Sequence, residues 1–235
     1  MRGRLSYGRG PRVIAAFFLA VLIVATVVAI IRPGAGAGAG TGSQGSVRTV
    51  GSEFAGIPEQ RTFLGDPKAP ATLVEFADLQ CPFCAQFARD ALPGLLSQWV
   101  RPGRLRLDLR LVSIIGPDSR VAARMAGAAA LQDTLWPFAE LFFLNQGTEN
   151  SGYVTTPFLS AIAAATPGLD AGKALGARES AAVTAQLTRA EDSARKLGVS
   201  STPSFFLLRP GRAPVELHPT ALTAPAVSSA IEAAL

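Results

Sequence analysis

Two cysteines occur in the 235 residues, and they are held in one short motif, Cys81-Pro82-Phe83-Cys84. Thiols at this spacing can form a disulfide and exchange it with another thiol. The bond closes a small loop, so as a structural staple it would contribute only roughly 2 kcal/mol in the chain-entropy model. A staple normally joins distant segments. A structural zinc ion usually takes four ligands, whereas this chain offers two cysteines and one distant histidine, His218. A redox-active pair is therefore the stronger reading of the motif.

The flanking sequence supplies elements that can position these sulfurs. Ala71 to Ala77 (ATLVEFA) is short, apolar and partly β-branched, and Asp66-Pro67-Lys68-Ala69-Pro70 bounds it; it reads as a buried strand running into the Cys81 turn. From Pro82 a helical pattern follows through Phe83, Phe87, Leu92, Leu95, Leu96 and Trp99. Pro82 suits the first turn, where its missing N–H costs nothing, and Pro93 should kink or break the helix after about three turns. Cys81 then lies at a helix N-terminus, where free N–H groups and the helix dipole stabilise a thiolate. Cys84 lies one turn in on the same face and should be the more buried sulfur. Glu75, inside the apolar strand, is costly to bury unless neutral or paired; an outward-facing position is the alternative. Asp78 reads as a solvated residue near the turn.

Further on, Arg104 to Leu111 alternates strictly, with four leucines on one face and Arg104, Arg106, Asp108 and Arg110 on the other, as in a half-buried strand. With the first strand and the helix it makes a βαβ unit. Asp118 to about Val199 is mostly helical, broken by proline and glycine into four or five helices. Ser204 to Leu208 reads as a strand, Val215 to Leu217 as its hairpin partner, and Ala224 to Leu235 as a closing amphipathic helix.

The stretch Leu73-Val74-Glu75-Phe76-Ala77-Asp78-Leu79-Gln80-Cys81-Pro82-Phe83-Cys84, followed far downstream by Gly198-Val199-Ser200-Ser201-Thr202-Pro203-Ser204-Phe205-Phe206, resembles the DsbA-like branch of the thioredoxin superfamily. The resemblance covers about residues 60 to 234. It implies an α/β thioredoxin-like fold with a helical subdomain inserted at about residues 116–199; a plain thioredoxin has no room for the 122 positions between Cys81 and Pro203. It also implies roles. Cys81 matches the nucleophilic, substrate-linked cysteine and Cys84 the resolving one. Pro82 and Phe83 support the pair. Thr202-Pro203 matches a cis-proline loop beside which substrate adds as a strand. Glu75 matches a buried acid that relays protons to Cys84. The sequence departs from the best-known pattern at one point. Phe83 stands where that pattern has a histidine, and its ring cannot donate to sulfur, so a less depressed Cys81 pKa and a weaker oxidant are expected. Trp99, Trp136 and Tyr153 read as core.

The N-terminal part sets the topology. Val13 to Ile31 is nineteen residues without a charge, about 28 Å as a helix, close to a hydrocarbon core. Residues 1–12 form a basic segment that should stay cytoplasmic, residues 13–31 a transmembrane anchor, residues 32–58 a flexible linker, and residues 59–235 the domain outside the cytoplasm. A cleaved signal peptide competes, but its apolar core runs only about 7 to 15 residues. Either reading places the thiols where disulfides persist. Six arginines precede the first acidic residue, Glu53; the remaining 16 basic and 17 acidic side chains leave the domain at −1. Such a domain has no basic face for nucleic acid.

The chemistry implied by the resemblance is disulfide introduction into reduced exported proteins, with reoxidation by a quinone-linked thiol oxidase in the membrane and no metal or organic cofactor. The same site run as a reductase or isomerase, a thiol peroxidase, and a holdase for unfolded exported proteins all stay open on sequence alone.

Overall fold

The computed structural model describes residues 50–235, which belong to one of the chain's two units, Ser43–Leu235. The basic segment 1–12, the anchor expected at 13–31 and the linker up to residue 49 lie outside the described residues. Among the described residues no helix is long and apolar enough to cross a membrane. Of the linker expected over residues 32–58, residues 50–58 are described. Residues 50–54 are helical, and Val50 and Phe54, four apart and so on one helical face, are buried in the core.

Six strands form one sheet in the order β1-β2-β4-β3-β5-β6. They are β1 (Glu59–Gln60), β2 (Phe63–Leu64), β3 (Thr72–Ala77), β4 (Arg106–Leu111), β5 (Ser204–Leu208) and β6 (Val215–Leu217). β3 and β4 are parallel and enclose helix α1 (Pro82–Asp90), short helix α2 (Leu92–Leu95) and a π-helical turn, Leu96–Val100, so the βαβ unit is present. The helix from Pro82 breaks ahead of Pro93, as expected: α1 ends at Asp90, and α2 restarts with Pro93 in its first turn. Between β4 and β5 come five helices: α3 (Pro117–Ala130), α4 (Leu135–Leu144), α5 (Thr156–Ala165), α6 (Ala171–Ala177) and α7 (Ala181–Leu197). They are the helical insertion. α8 (Ala224–Ala234) closes the chain.

β3 is buried on both faces, which is why it reads as a continuous apolar run. Leu73 and Ala77 join the main core, while Val74 and Phe76 point to a second cluster with Val112, Ala194 and Phe206. There Phe76 and Phe206 meet edge to face at 5.8 Å, worth about 0.5–1.5 kcal/mol beyond burial. α7 covers this face and packs on β4. Its cover corrects the half-buried reading of β4. The strand starts at Arg106 rather than Arg104, and Asp108 is buried, accepting from Thr62 Oγ1 at 2.6 Å and Arg110 Nε at 2.9 Å. α7 also lies close on α3, because Gly127 leaves no side chain there; a Cβ at that position would meet Val183 Cγ1 at 2.8 Å.

Candidate active site

β3 and β5 are antiparallel neighbours, with Phe76 opposite Ser204. The chain leaving β3 and the chain entering β5 therefore emerge at the same end of the sheet. This register brings Cys81 to Thr202, whose peptide bond with Pro203 is cis. The Cys81 Sγ–H donates to the Thr202 carbonyl oxygen at 3.2 Å.

Cys81 is the N-cap residue of α1, with extended φ/ψ of −72° and 121°, and Pro82 occupies the first turn. Cys84 is fully buried one turn on, whereas Cys81 keeps 4 % of its surface. Phe83 is 60 % exposed beside them. The Cys81 pKa falls to about 6. The hydrogen bond from the Cys84 thiol is the largest cause, burial opposes it, and the Thr202 side chain and the backbone N–H groups of Cys84 and Phe83 add to the lowering. Cys84 moves well upward, first through burial, then through its bond to Cys81 and the nearby Glu75 and Cys81 charges. The two sulfurs thus separate near neutral pH into a thiolate at Cys81, which keeps slight exposure, and a fully buried thiol at Cys84.

Glu75 faces inward from β3 and is 5 % exposed. Burial, then Glu140 and Cys81, raise its pKa to about 8. Asp78 is not solvated. It is fully buried, and its carboxylate accepts from Gln80 N, Ile114 N and Ile115 N, each at 2.9 Å. Three free backbone donors at that point are met by the one acceptor group that can serve them all. Further polar groups brace the cysteine loop. Gln146 Nε2 donates to the carbonyls of Leu79 (2.8 Å) and Cys81 (3.1 Å). Gln80 Nε2 donates to Ser119 Oγ and Gln80 Oε1 accepts from Asn150 N. Gln80 and Asp78 carry an Asx-turn signature in sequence; nothing local marks Gln146 or Asn150, because their partners lie 65 to 70 residues away.

Trp99 and Trp136 are buried, and Tyr153 packs partly buried between Phe142 and Phe158. His218 is exposed and faces Glu216 at 3.8 Å. Among the described residues no group of three or more His, Cys, Asp or Glu side chains is placed to hold a metal ion. A groove of about 810 Å3 opens between β4 and α7, lined by residues that include Arg61, Arg110 and Lys196 but neither cysteine.

A family model described as Thioredoxin matches residues 58–208. The chain belongs to the thioredoxin family. Within it, the similarity runs to the disulfide bond formation proteins D of Bacillus. The probable protein of that name from Bacillus cereus is 28% identical over 67% of this chain and 74% of its own length. The one from Bacillus subtilis is 26% identical over 61% of this chain and 66% of its own. The crystal structure of oxidised BdbD from Bacillus subtilis superposes with a TM-score of 0.63 at 23% identity, over 74% of this chain and 91% of that one. This thioredoxin-family chain is a DsbA-like oxidoreductase, with the thioredoxin-like sheet and the helical insertion that the cysteine motif and its downstream proline imply.

Proposed function

We propose that the chain is a protein-disulfide oxidoreductase that introduces disulfides into exported proteins outside the cytoplasm, with Cys81 and Cys84 as its catalytic residues. The observation that carries this reading is the split between the two sulfurs: Cys81 lowered to about 6 at a helix N-terminus, and Cys84 raised and buried behind it. A substrate thiolate attacks Cys81 of the oxidised enzyme. The Cys81–Cys84 bond breaks, a mixed disulfide forms at Cys81, and Cys84 takes a proton. A second substrate thiolate attacks the substrate sulfur of that mixed disulfide and releases Cys81 as a thiolate. A stable Cys81 thiolate favours the dithiol enzyme, which makes the disulfide a better oxidant. The names of the Bacillus relatives, disulfide bond formation proteins, support this direction.

In this reading the backbone at Thr202, ahead of Pro203, receives the substrate as an added strand, and exposed Phe83 gives it an apolar contact. Glu75 exchanges protons with Cys84. The apolar run 13–31 anchors the domain on the outer side of the membrane, and a quinone-linked thiol oxidase there returns the pair to the disulfide.

A Cys84→Ala variant tests the proposal. Covalent adducts between Cys81 and exported proteins should accumulate and vanish on reduction. Absence of adducts, with exported proteins still acquiring their disulfides normally, would overturn it. A redox titration of the wild-type pair fixes the direction: a poise below that of exported dithiols rules out the oxidase reading.

A further inference from the structure

Glu75 does not face the core alone. A small cavity of about 10 Å3 lies between β3, β4, α1, α2 and α4, and both Glu75 and Glu140 line it. Glu140 belongs to α4 and so to the helical insertion. It is 5 % exposed, like Glu75. One oxygen of each, Glu75 Oε1 and Glu140 Oε2, is buried without a hydrogen-bond partner. The rest of the lining is largely apolar, including Phe87, Leu109, Trp136 and Phe143. A buried water needs about 10–15 Å3 of such space and at least two polar partners. The cavity meets the first requirement at its lower limit, and the two carboxyls meet the second.

We propose that Glu75 and Glu140 are bridged by one water in this cavity and act as a proton-sharing pair, with Glu140 a relay residue that links the Cys84 proton to solvent through the insertion. The inference deepens the exchange reaction proposed above and rests on it. Two carboxylates so placed cannot both ionise readily, so the pair retains a proton near neutral pH. When the Cys81–Cys84 bond breaks, its electron pair goes to Cys84 Sγ and the proton of the Glu75 carboxyl forms the S–H bond. Glu75 is restored through the water from Glu140, and Glu140 from solvent. On reoxidation the proton travels the other way.

The charges around the pair fit an outlet. The Glu140 charge bears on Glu75 in β3, while Glu53 from the helical residues 50–54 and Arg89 from α1 bear on Glu140. Arg89 is exposed and Glu53 half-buried. Glu140 thus stands between buried Glu75 and two groups closer to solvent, Glu53 and Arg89. Burial and Glu53 raise its pKa to about 7, with Arg89 opposing, near the pH at which a relay group is most useful.

The test uses the full chain with Glu140→Gln and Glu140→Asp, carboxyl titration by infrared difference spectroscopy, and stopped-flow oxidation of a dithiol model peptide. Expected for Glu140→Gln is a Glu75 carboxyl titrating at lower pH, a rate profile displaced to lower pH with it, and exchange slowed about tenfold; Glu140→Asp should restore part of the rate. A Glu75 titration unchanged in Glu140→Gln overturns the pair. Should that variant not fold, Glu75→Gln reads the same coupling from the other side, and a Glu140 titration that fails to move down overturns it. Carboxyl titration needs no substrate. A wild-type chain that oxidises no dithiol peptide overturns the proposed function, while the pair is still judged by its titration.

Discussion

The thiol of Cys81 and the carbonyl of Thr202, 121 residues apart, meet at 3.2 Å. The contact follows from the sheet. Pairing Phe76 with Ser204 fixes where both loops leave it, so strand register brings the two loops together.

The electrostatics of Cys81 lead to a first prediction. Its largest lowering comes from the Cys84 thiol. Cys84→Ala should raise the Cys81 pKa by about one pH unit, and Cys84→Ser, which keeps a donor, should raise it less. The pH dependence of the alkylation rate at Cys81 measures this directly.

Phe83 is the position at which the chain lacks a donor. Because it is 60 % exposed, Phe83→His should fold normally. An imidazolium beside the thiolate should lower the Cys81 pKa by about one further pH unit and make the disulfide more oxidising by tens of millivolts. Thiolate absorbance and a glutathione titration check the two effects.

Glu75 predicts how stability varies with pH. Its folded pKa, about 8, lies above the ordinary value of 4.5, so the folded state holds the extra proton. Its contribution is fully present below pH 4.5 and is lost as the pH rises through about 8, falling by at most about 1.4 kcal/mol for each pH unit climbed between those limits. Glu59 and Glu140, each raised to about 7, act in the same direction. Glu75→Gln should therefore flatten the fall in urea midpoint between pH 5 and 8 and leave the variant the more stable at pH 8.

Asp78 predicts a loss of stability. Its carboxylate serves three backbone N–H groups. Asp78→Ala leaves all three without their partner and should cost about 2–4 kcal/mol, with Asp78→Asn intermediate. Urea denaturation gives the first number. Faster alkylation of buried Cys84 would report the loosened loop.

Much of this was legible in the sequence where the signal is local. The β3 run, Pro82 at a helix start, the alternation of β4 and the proline breaks between helices are all short-range patterns, and each marks a real element. Long-range cover was not legible. Asp78 reads as solvated because two of its three donors, Ile114 N and Ile115 N, lie 36 and 37 residues away and reach it only on folding. Asp108 reads as outward because α7, which lies over that face, is some 75 residues away. Val50 and Phe54 are hidden by the Gly- and Ser-rich composition around them. Glu140, inside an apolar helix, gives no sign that its neighbour across the core is another carboxyl.

Trp136 lines the same cavity as Glu75 and Glu140, and its indole N–H is fixed to the Thr62 carbonyl at 3.0 Å. The other tryptophan, Trp99, does not line that cavity and is bonded instead to Ser228 in α8. The molecule thus carries a built-in optical probe beside its buried acids. Emission from Trp136 should change in intensity as those carboxyls gain or lose protons, with Trp99 as an internal reference, so turnover can be followed by light alone without a label.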